Sequence, residues 1–420
     1  MFTTWGALTG LAIAIILIIR KATPAYALVL GALAGGLLGG GGLPETVSAM
    51  ISGTQSMMPS VLRILTSGIL AGALVKTGSA ERIADSIVRM LGSRFALVAI
   101  ALAAMIVTAV GVFVDIAVIT VAPVALEVGK RAGLPVSSLL LAMVGGGKAG
   151  NVISPNPNTI AAADAFKVDL TALMMKNIVP ALCALAVTVL LSSWLAKKGR
   201  KNASVLEAAA DESGVTKNLP NIVSAVAGPL VVVALLALRP MCGFAVDPLV
   251  ALPAGGLVSI IVCGRWRNTA EYCEFGLSKV IGVSILLIGT GAVAGIVKNS
   301  GLNADMISVL NACHLPAFAL APLSSVLLSG ATASTTAGVT IASQTFSGAL
   351  AQAGIPALSA AAMLHAGGTI FDALPHGSLF HATAGAVGMS VKERLKLFPY
   401  GTFVGATTTV VSVVMYLLGF

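Results

Sequence analysis

The sequence predicts an all-α polytopic membrane protein built from two inverted-topology repeats, with broken helices and paired re-entrant hairpins. Of its 420 residues, 57% are hydrophobic and 10% charged, and the mean hydropathy is +0.98, far from the balance of a soluble globular chain. Apolar runs near bilayer-spanning length recur along the whole sequence. A long polar stretch divides the chain into near-equal halves that match each other at a fixed offset.

The apolar runs cover 3–19, 24–40, 61–75, 95–125, 173–195, 223–238, 249–263, 280–297, 317–329 and 403–420. Lipid offers backbone N–H and C=O groups no partner, so a spanning segment must be a helix or part of a closed barrel. The runs lack the alternation of a membrane barrel, which leaves helices. The 46 glycines suit close helix packing and backbone breaks.

The net charge of +9 comes from short basic groups flanking the apolar runs. These are topology signals rather than a nucleic-acid surface. Arg20-Lys21, the 82–94 segment, Lys130-Arg131, Lys197-Lys198 with Arg200-Lys201, Arg265 to Arg267 and Lys392 to Lys396 are expected on the cytoplasmic side. The expectation is a multi-pass protein of a bacterial inner membrane with a periplasmic N-terminus. The first run has no basic n-region or small-residue cleavage site and reads as a retained helix.

The expected organisation is a first repeat over 1–196, a cytoplasmic linker over 197–220 and a second repeat over 221–420. At an offset of 220 (Met143 to Met363), AVITVA at 117–122 faces AGVTIA at 337–342, and Pro155 faces Pro375. One residue of slip also aligns AGLP at 132–135 with AGIP at 353–356. Lys130-Arg131 precedes the first of these, whereas neutral Ala351-Gln352 precedes the second, so the halves are expected to be inverted.

Polar chemistry at membrane depth is tolerated only where protein or a water-filled cavity shields it. GGGKAGNVISPNPNT at 145–159 and HAGGTIFDALPHGS at 365–378 occupy matching places and interrupt apolar sequence with Gly and Pro, the first also with Asn. Breaks there free backbone N–H groups at half-helix N-termini to hold an anion. Lys148, Asn151, Ser154, Asn156, Asn158, Thr159, Ser334, Thr335, His376 and Ser378 are the candidate substrate-binding residues. Lys148 is expected to pair with a substrate carboxylate.

Asp115 falls in the 95–125 run, which is too long for one perpendicular crossing, and marks an expected break. Asp115, Asp372 and His376 are the candidate proton-coupling groups, with His365 and His381 as further titratable neighbours and His314 placed in a loop. Glu81, Arg82, Asp85, Arg89 and Arg94 have the spacing of an amphipathic interfacial helix. Cys183, Cys242, Cys263, Cys273 and Cys313 have no metal-ligand spacing, so no metal site or cofactor is expected. The chain has no G-x-x-x-x-G-K-[ST] signature and no nucleophile at a diagnostic spacing from its histidines, against an ATP-driven pump or an intramembrane enzyme.

FVDIAVITVAP at 113–123, SPNPNT at 154–159 and GMSVKERLK at 388–396 together resemble the gluconate:proton symporter family, which includes D-serine and hydroxy-acid permeases. The resemblance runs over nearly the whole chain. It implies proton-coupled symport of a small hydroxylated carboxylate, a fold of the wider ion-transporter superfamily, and a homodimer. It also implies that Asp115 takes the family's membrane-embedded acidic position and 154–159 its proline-rich hairpin. SPNPNT and FDALPHGS depart from the gluconate-type hairpins. The Ser/Asn/Thr content is similar to ion-binding hairpins of sodium-coupled dicarboxylate transporters, which makes Na+ the alternative to H+ as coupling ion. The expected partners are a small organic anion and membrane lipid.

Overall fold

A computed structural model describes residues 2–199 and 219–420, apart from 243, 245, 303, 306, 307, 309–311 and 313–315. Most of the expected linker, His314, Cys313 and the side chain of Cys242 lie outside the described residues. Nineteen α-helices make up the described chain. The first half contains α1 (Thr4–Ile19), α2 (Pro24–Leu38), α3 (Leu43–Gln55), α4 (Met58–Lys76), α5 (Ser79–Leu91), α6 (Ala96–Ala109), α7 (Val114–Ala132), α8 (Val136–Asn151), α9 (Pro157–Phe166), α10 (Leu170–Lys176) and α11 (Ile178–Gly199). The second contains α12 (Ile222–Cys242), α13 (Pro248–Val262), α14 (Thr269–Lys298), α15 (Leu320–Thr332), α16 (Thr335–Gln352), α17 (Ala357–Gly367), α18 (Ser378–Gly385) and α19 (Val391–Leu417).

Local chemistry explains many of the ends. Proline opens α2 and α9 within the first turn, where its missing N–H costs nothing. Ser390 and Glu393 form a reciprocal capping box at α19. α7 stops at Gly133, whose φ of +62° closes the last turn.

Helix boundaries recur at the offset read from the sequence. α7 shifted by 220 falls on 334–352, against Thr335–Gln352 for α16; α9 falls on 377–386, against Ser378–Gly385 for α18. The pair α10–α11 spans 170–199 and falls on 390–419, against Val391–Leu417 for α19.

By length and composition, Met58–Lys76, Ile178–Lys198, Trp266–Lys298 and Val391–Leu417 can each cross a membrane, and six further apolar helices are shorter. α5 turns its apolar face inward through Ile83, Ala84 and Val88, as an amphipathic helix must. Its charges are not all superficial: Asp85 is buried between Arg82 and Arg89, at 3.5 and 2.7 Å.

The core centres on α8, whose residues from Ser138 to Asn151 are all buried. α6, α7, α11 and α19 pack around it. Close approach is possible because Gly146 and Gly150 sit one turn apart against α6; a Cβ on either would strike the carbonyl oxygen of Ala101 or Met105. That packing fixes Lys148 in the middle of the molecule.

Candidate functional site

Four chain breaks meet at one place. They separate α6 from α7 at 110–113, α8 from α9 at 152–156, α15 from α16 at 333–334 and α17 from α18 at 368–377. A cavity of about 220 Å³ lies between them, lined by Asp115 of α7, Asn151 and Asn158 flanking the second break, Ser334, Thr335 and Thr336 at the third, and Asp372 and Ser378 at the fourth. Lys279 and Val283 of α14 complete the wall. The volume is the liquid share of roughly seven waters, room for a small organic acid.

The second helix of every broken pair directs its N-terminus here, with its free N–H groups and positive dipole end. Asn156 caps α9 and Ser334 caps α16, but no side chain caps α7 or α18. The uncapped ends therefore hold donors available to an anion. Ala333 sits at the third break with φ +48°, a left-handed conformation costly for a residue with a Cβ.

Lys148 and Asp372 form an ion pair at 2.6 Å, each only 1% exposed. The Lys148 ammonium also donates to the carbonyl of Thr369 at 2.7 Å and to that of Gly401 at 3.2 Å. The opposite carboxylate oxygen of Asp372 accepts from the Thr335 hydroxyl at 2.8 Å. A lysine of the first half is thus held entirely by groups of the second. Its charge is compensated inside the protein, and Asp372 stands between it and the cavity.

The second break is laced by its own side-chain hydrogen bonds. The Asn156 side-chain amide donates to the backbone carbonyl of Asn151 at 2.9 Å and to its Oδ1 at 2.6 Å, while the Asn158 amide donates to that same Oδ1 at 3.0 Å. Asn156 Oδ1 receives the backbone N–H groups of Asn158 and Thr159, at 3.0 and 3.2 Å. The Thr159 hydroxyl donates to the Ser154 carbonyl at 2.6 Å. Thr336 crosses from the other half to donate to Asn158 Oδ1.

The cavity thus brings together Asp115, Asn151, Asn158, Ser334, Thr335, Asp372 and Ser378 from the sequence-derived set. Asn156 and Thr159 shape the loop behind it. Ser154 is buried with its hydroxyl unpartnered, and Lys148 faces Asp372 rather than open space. His376 is exposed, its Nε2 3.3 Å from the Ala331 carbonyl; His381 is exposed too, and His365 is fully buried with neither ring nitrogen partnered. Asp115 forms no ion pair with any described residue and is half-buried at the first turn of α7. Sequence reasoning missed Lys279 and Thr336. The signal for Lys279 was its place immediately before a long apolar run; for Thr336 it was adjacency to Thr335. Among the described residues no His, Cys, Asp and Glu side chains assemble into a metal-binding group.

A model of the GntP family permeases matches residues 3–419. An uncharacterized transporter of Haemophilus influenzae is 52% identical over 415 residues, covering 98% of this chain and 97% of that one. The gluconate permease of Zymomonas mobilis is 23% identical, with 80% of each chain covered. Among solved structures, the Alcanivorax borkumensis YdaH transporter superposes with a TM-score of 0.71 at 18% identity over 90% of both chains, a likeness of fold. Taken with the broken helices and their shared cavity, these matches make the chain a membrane transporter rather than an enzyme, and a member of the GntP permease family.

Proposed function

We propose that this protein carries a small hydroxylated carboxylate of the gluconate type across the bacterial inner membrane, in symport with protons. The observation that carries the reading is the convergence of four helix breaks on one cavity containing Asp115. Donors at the uncapped ends of α7 and α18, with the Lys279 ammonium, supply attraction for a carboxylate. Hydroxyl and amide groups of Ser334, Thr335, Asn158 and Ser378 suit the hydroxyls of a sugar acid. Similarity to the gluconate permease of Zymomonas mobilis supports the same substrate class.

Asp115 gives the coupling. An ionised carboxylate beside an anionic substrate repels it, whereas the protonated form removes that charge and becomes a donor. Proton and substrate then favour each other's binding by the same free energy. Asp372 has a different part: with Lys148 and Thr335 it ties the two halves together at the site. Alternating access follows from rocking of the 1–196 repeat against the inverted 221–420 repeat, with the 197–220 linker in the cytoplasm, the N-terminus in the periplasm and a homodimer as the working unit.

Protons are favoured over sodium because two of the three asparagine side-chain oxygens of the second break already hold two donors each. Asn151 Oδ1 accepts two amide donors and Asn156 Oδ1 two backbone N–H groups, which uses both lone pairs of each. The test is uptake of labelled gluconate, glycerate, 3-hydroxybutyrate, D-serine and citrate into proteoliposomes under a pH gradient or a sodium gradient. Carboxylate accumulation under the pH gradient alone is expected. A requirement for sodium overturns the coupling, and accumulation of D-serine alone overturns the substrate class.

A further inference from the structure

A second and larger cavity of about 550 Å³ lies elsewhere on the same helices. α9 and α16 touch the central cavity near their N-termini, through Asn158 and Thr336, and α14 at mid-length, through Val283; each touches the second cavity further along, through Asp164, Gln344 and Ala294. At a rise of 1.5 Å per residue the separations are about 9, 12 and 17 Å. All three helices run in the same sense from one cavity to the other. Lys167 and Lys298 bring ammonium groups to the second cavity, and neither forms an ion pair with a described residue. The acid in its wall, Asp164, is held by Arg63 and by Ser60 at 2.6 Å.

A polar stripe joins the two cavities. Thr336, Thr340 and Gln344 follow one another at four-residue spacing on one face of α16. Thr336 lines the central cavity and Gln344 the second one. Between them Thr340 is fully buried, and its hydroxyl has no hydrogen-bond partner. Gln344 Nε2 and the hydroxyl of Thr345, a residue 2% exposed in the wall of the second cavity, are also unpartnered. Buried polar groups normally find partners, and unmet donors cost about 1–3 kcal/mol each. Three of them stand on one helix, and two of these, at Thr340 and Gln344, lie on the face that joins the cavities.

We propose that the second cavity is an access subsite for carboxylate anions, and that the Thr336–Thr340–Gln344 face of α16 is the track by which the anion passes to and from the central cavity. The subsite rests on the anion-transport reading and extends it with a second binding place. Lys167 and Lys298 collect the anion electrostatically, and Gln344 and Thr345 receive it. Arg265 to Arg267 precede α14 and mark its start as cytoplasmic, which puts Lys298 and this subsite on the periplasmic side.

The test is cysteine modification from outside the cell, which needs no transport substrate. Thr340→Cys and Gln344→Cys are each treated with anionic 2-sulfonatoethyl methanethiosulfonate and cationic 2-(trimethylammonium)ethyl methanethiosulfonate, against the parent with its native cysteines. The expected result is modification at both positions, about tenfold faster with the anionic reagent, and loss of that preference when Lys167→Gln and Lys298→Gln are added. Equal rates for the two reagents overturn the anion subsite. Modification of Gln344→Cys without modification of Thr340→Cys, in protein that still takes up gluconate, overturns the track. Anion-selective labelling in protein that takes up no carboxylate supports the route while removing the substrate reading, so the two failures are distinct.

Discussion

Replacing Lys148 with methionine removes an ion pair at 2.6 Å and two hydrogen bonds to carbonyls at 2.7 and 3.2 Å, all in a place where both charged side chains are 1% exposed. Asp372 is left buried with the Thr335 hydroxyl as its partner. Breaking a buried pair from one side costs about 3–5 kcal/mol, because the surviving charge has no water to return to. In equilibrium terms that is roughly two to four powers of ten. Asp372→Leu strands the ammonium instead, with the Thr369 and Gly401 carbonyls still facing it. The double change removes both charges, and its cost is expected to fall at least about 2 kcal/mol below the sum of the singles. Reversible unfolding in mixed micelles, measured as a full double-mutant cycle, gives that coupling directly. Additivity within about 0.5 kcal/mol would refute the internal pair. So would a Lys148→Met protein of unchanged stability whose KM for carboxylate rises, since that result restores Lys148 to direct substrate binding.

Asp115→Asn is expected to abolish accumulation driven by a pH gradient while sparing substrate exchange at equal concentrations, measured by counterflow; intact gradient-driven uptake removes Asp115 as the proton carrier. Lys279→Gln is expected to raise KM about tenfold with Vmax little changed and Lys279→Arg to restore it, consistent with one lost carboxylate contact of about 1.4 kcal/mol. Gly276→Ala places a Cβ on the Gly68 carbonyl oxygen in the α4–α14 seam, and an overpacking cost of about 1–3 kcal/mol should appear as a lower thermal midpoint. Asp247 accepts a bidentate contact from Arg63, at 3.0 and 2.6 Å, and that guanidinium holds its carboxyl below the ordinary 3.8. A carboxyl lowered on folding stabilises above its unfolded value and loses that contribution as pH falls through the folded one, so acid titration of thermal stability should fall less steeply in Asp247→Asn.

The helix breaks were legible because they are local. Asp115 in an overlong apolar run announced the interruption before α7, and the Gly and Pro clusters at 145–159 and 365–378 announced two others. The offset of 220 carried over to helix boundaries, with Pro155 and Pro375 at matching places in the second and fourth breaks. Partnership between distant groups was not legible. Lys148 and Asp372 both stood out as ionisable groups in apolar surroundings, but a sequence does not say that each neutralises the other, and so a substrate carboxylate was assigned to a lysine that already has a protein one. His376 stood out for the same reason and lies exposed. Lys279 stands immediately before the 280–297 run and drew no notice, yet α14 begins ten residues earlier and carries it to the cavity wall. The polar stripe of α16 was hidden by composition, since hydroxyl groups at helical spacing also pack apolar helices without any further part.

The loop at 152–156 bears on how fast the protein can work. A carrier must repeat its cycle with and without cargo, and a segment that ordered only around the cargo would lose its conformational freedom anew at each binding event. For five residues that entropy is on the order of 5–10 kcal/mol, at about 1–2 kcal/mol per residue. Asn151, Asn156, Asn158 and Thr159 hold this loop through their own side chains. The ordering is completed once, when the chain folds, and does not recur at each turnover. Binding free energy is thereby left for selecting the cargo, and release need not wait for a loop to melt.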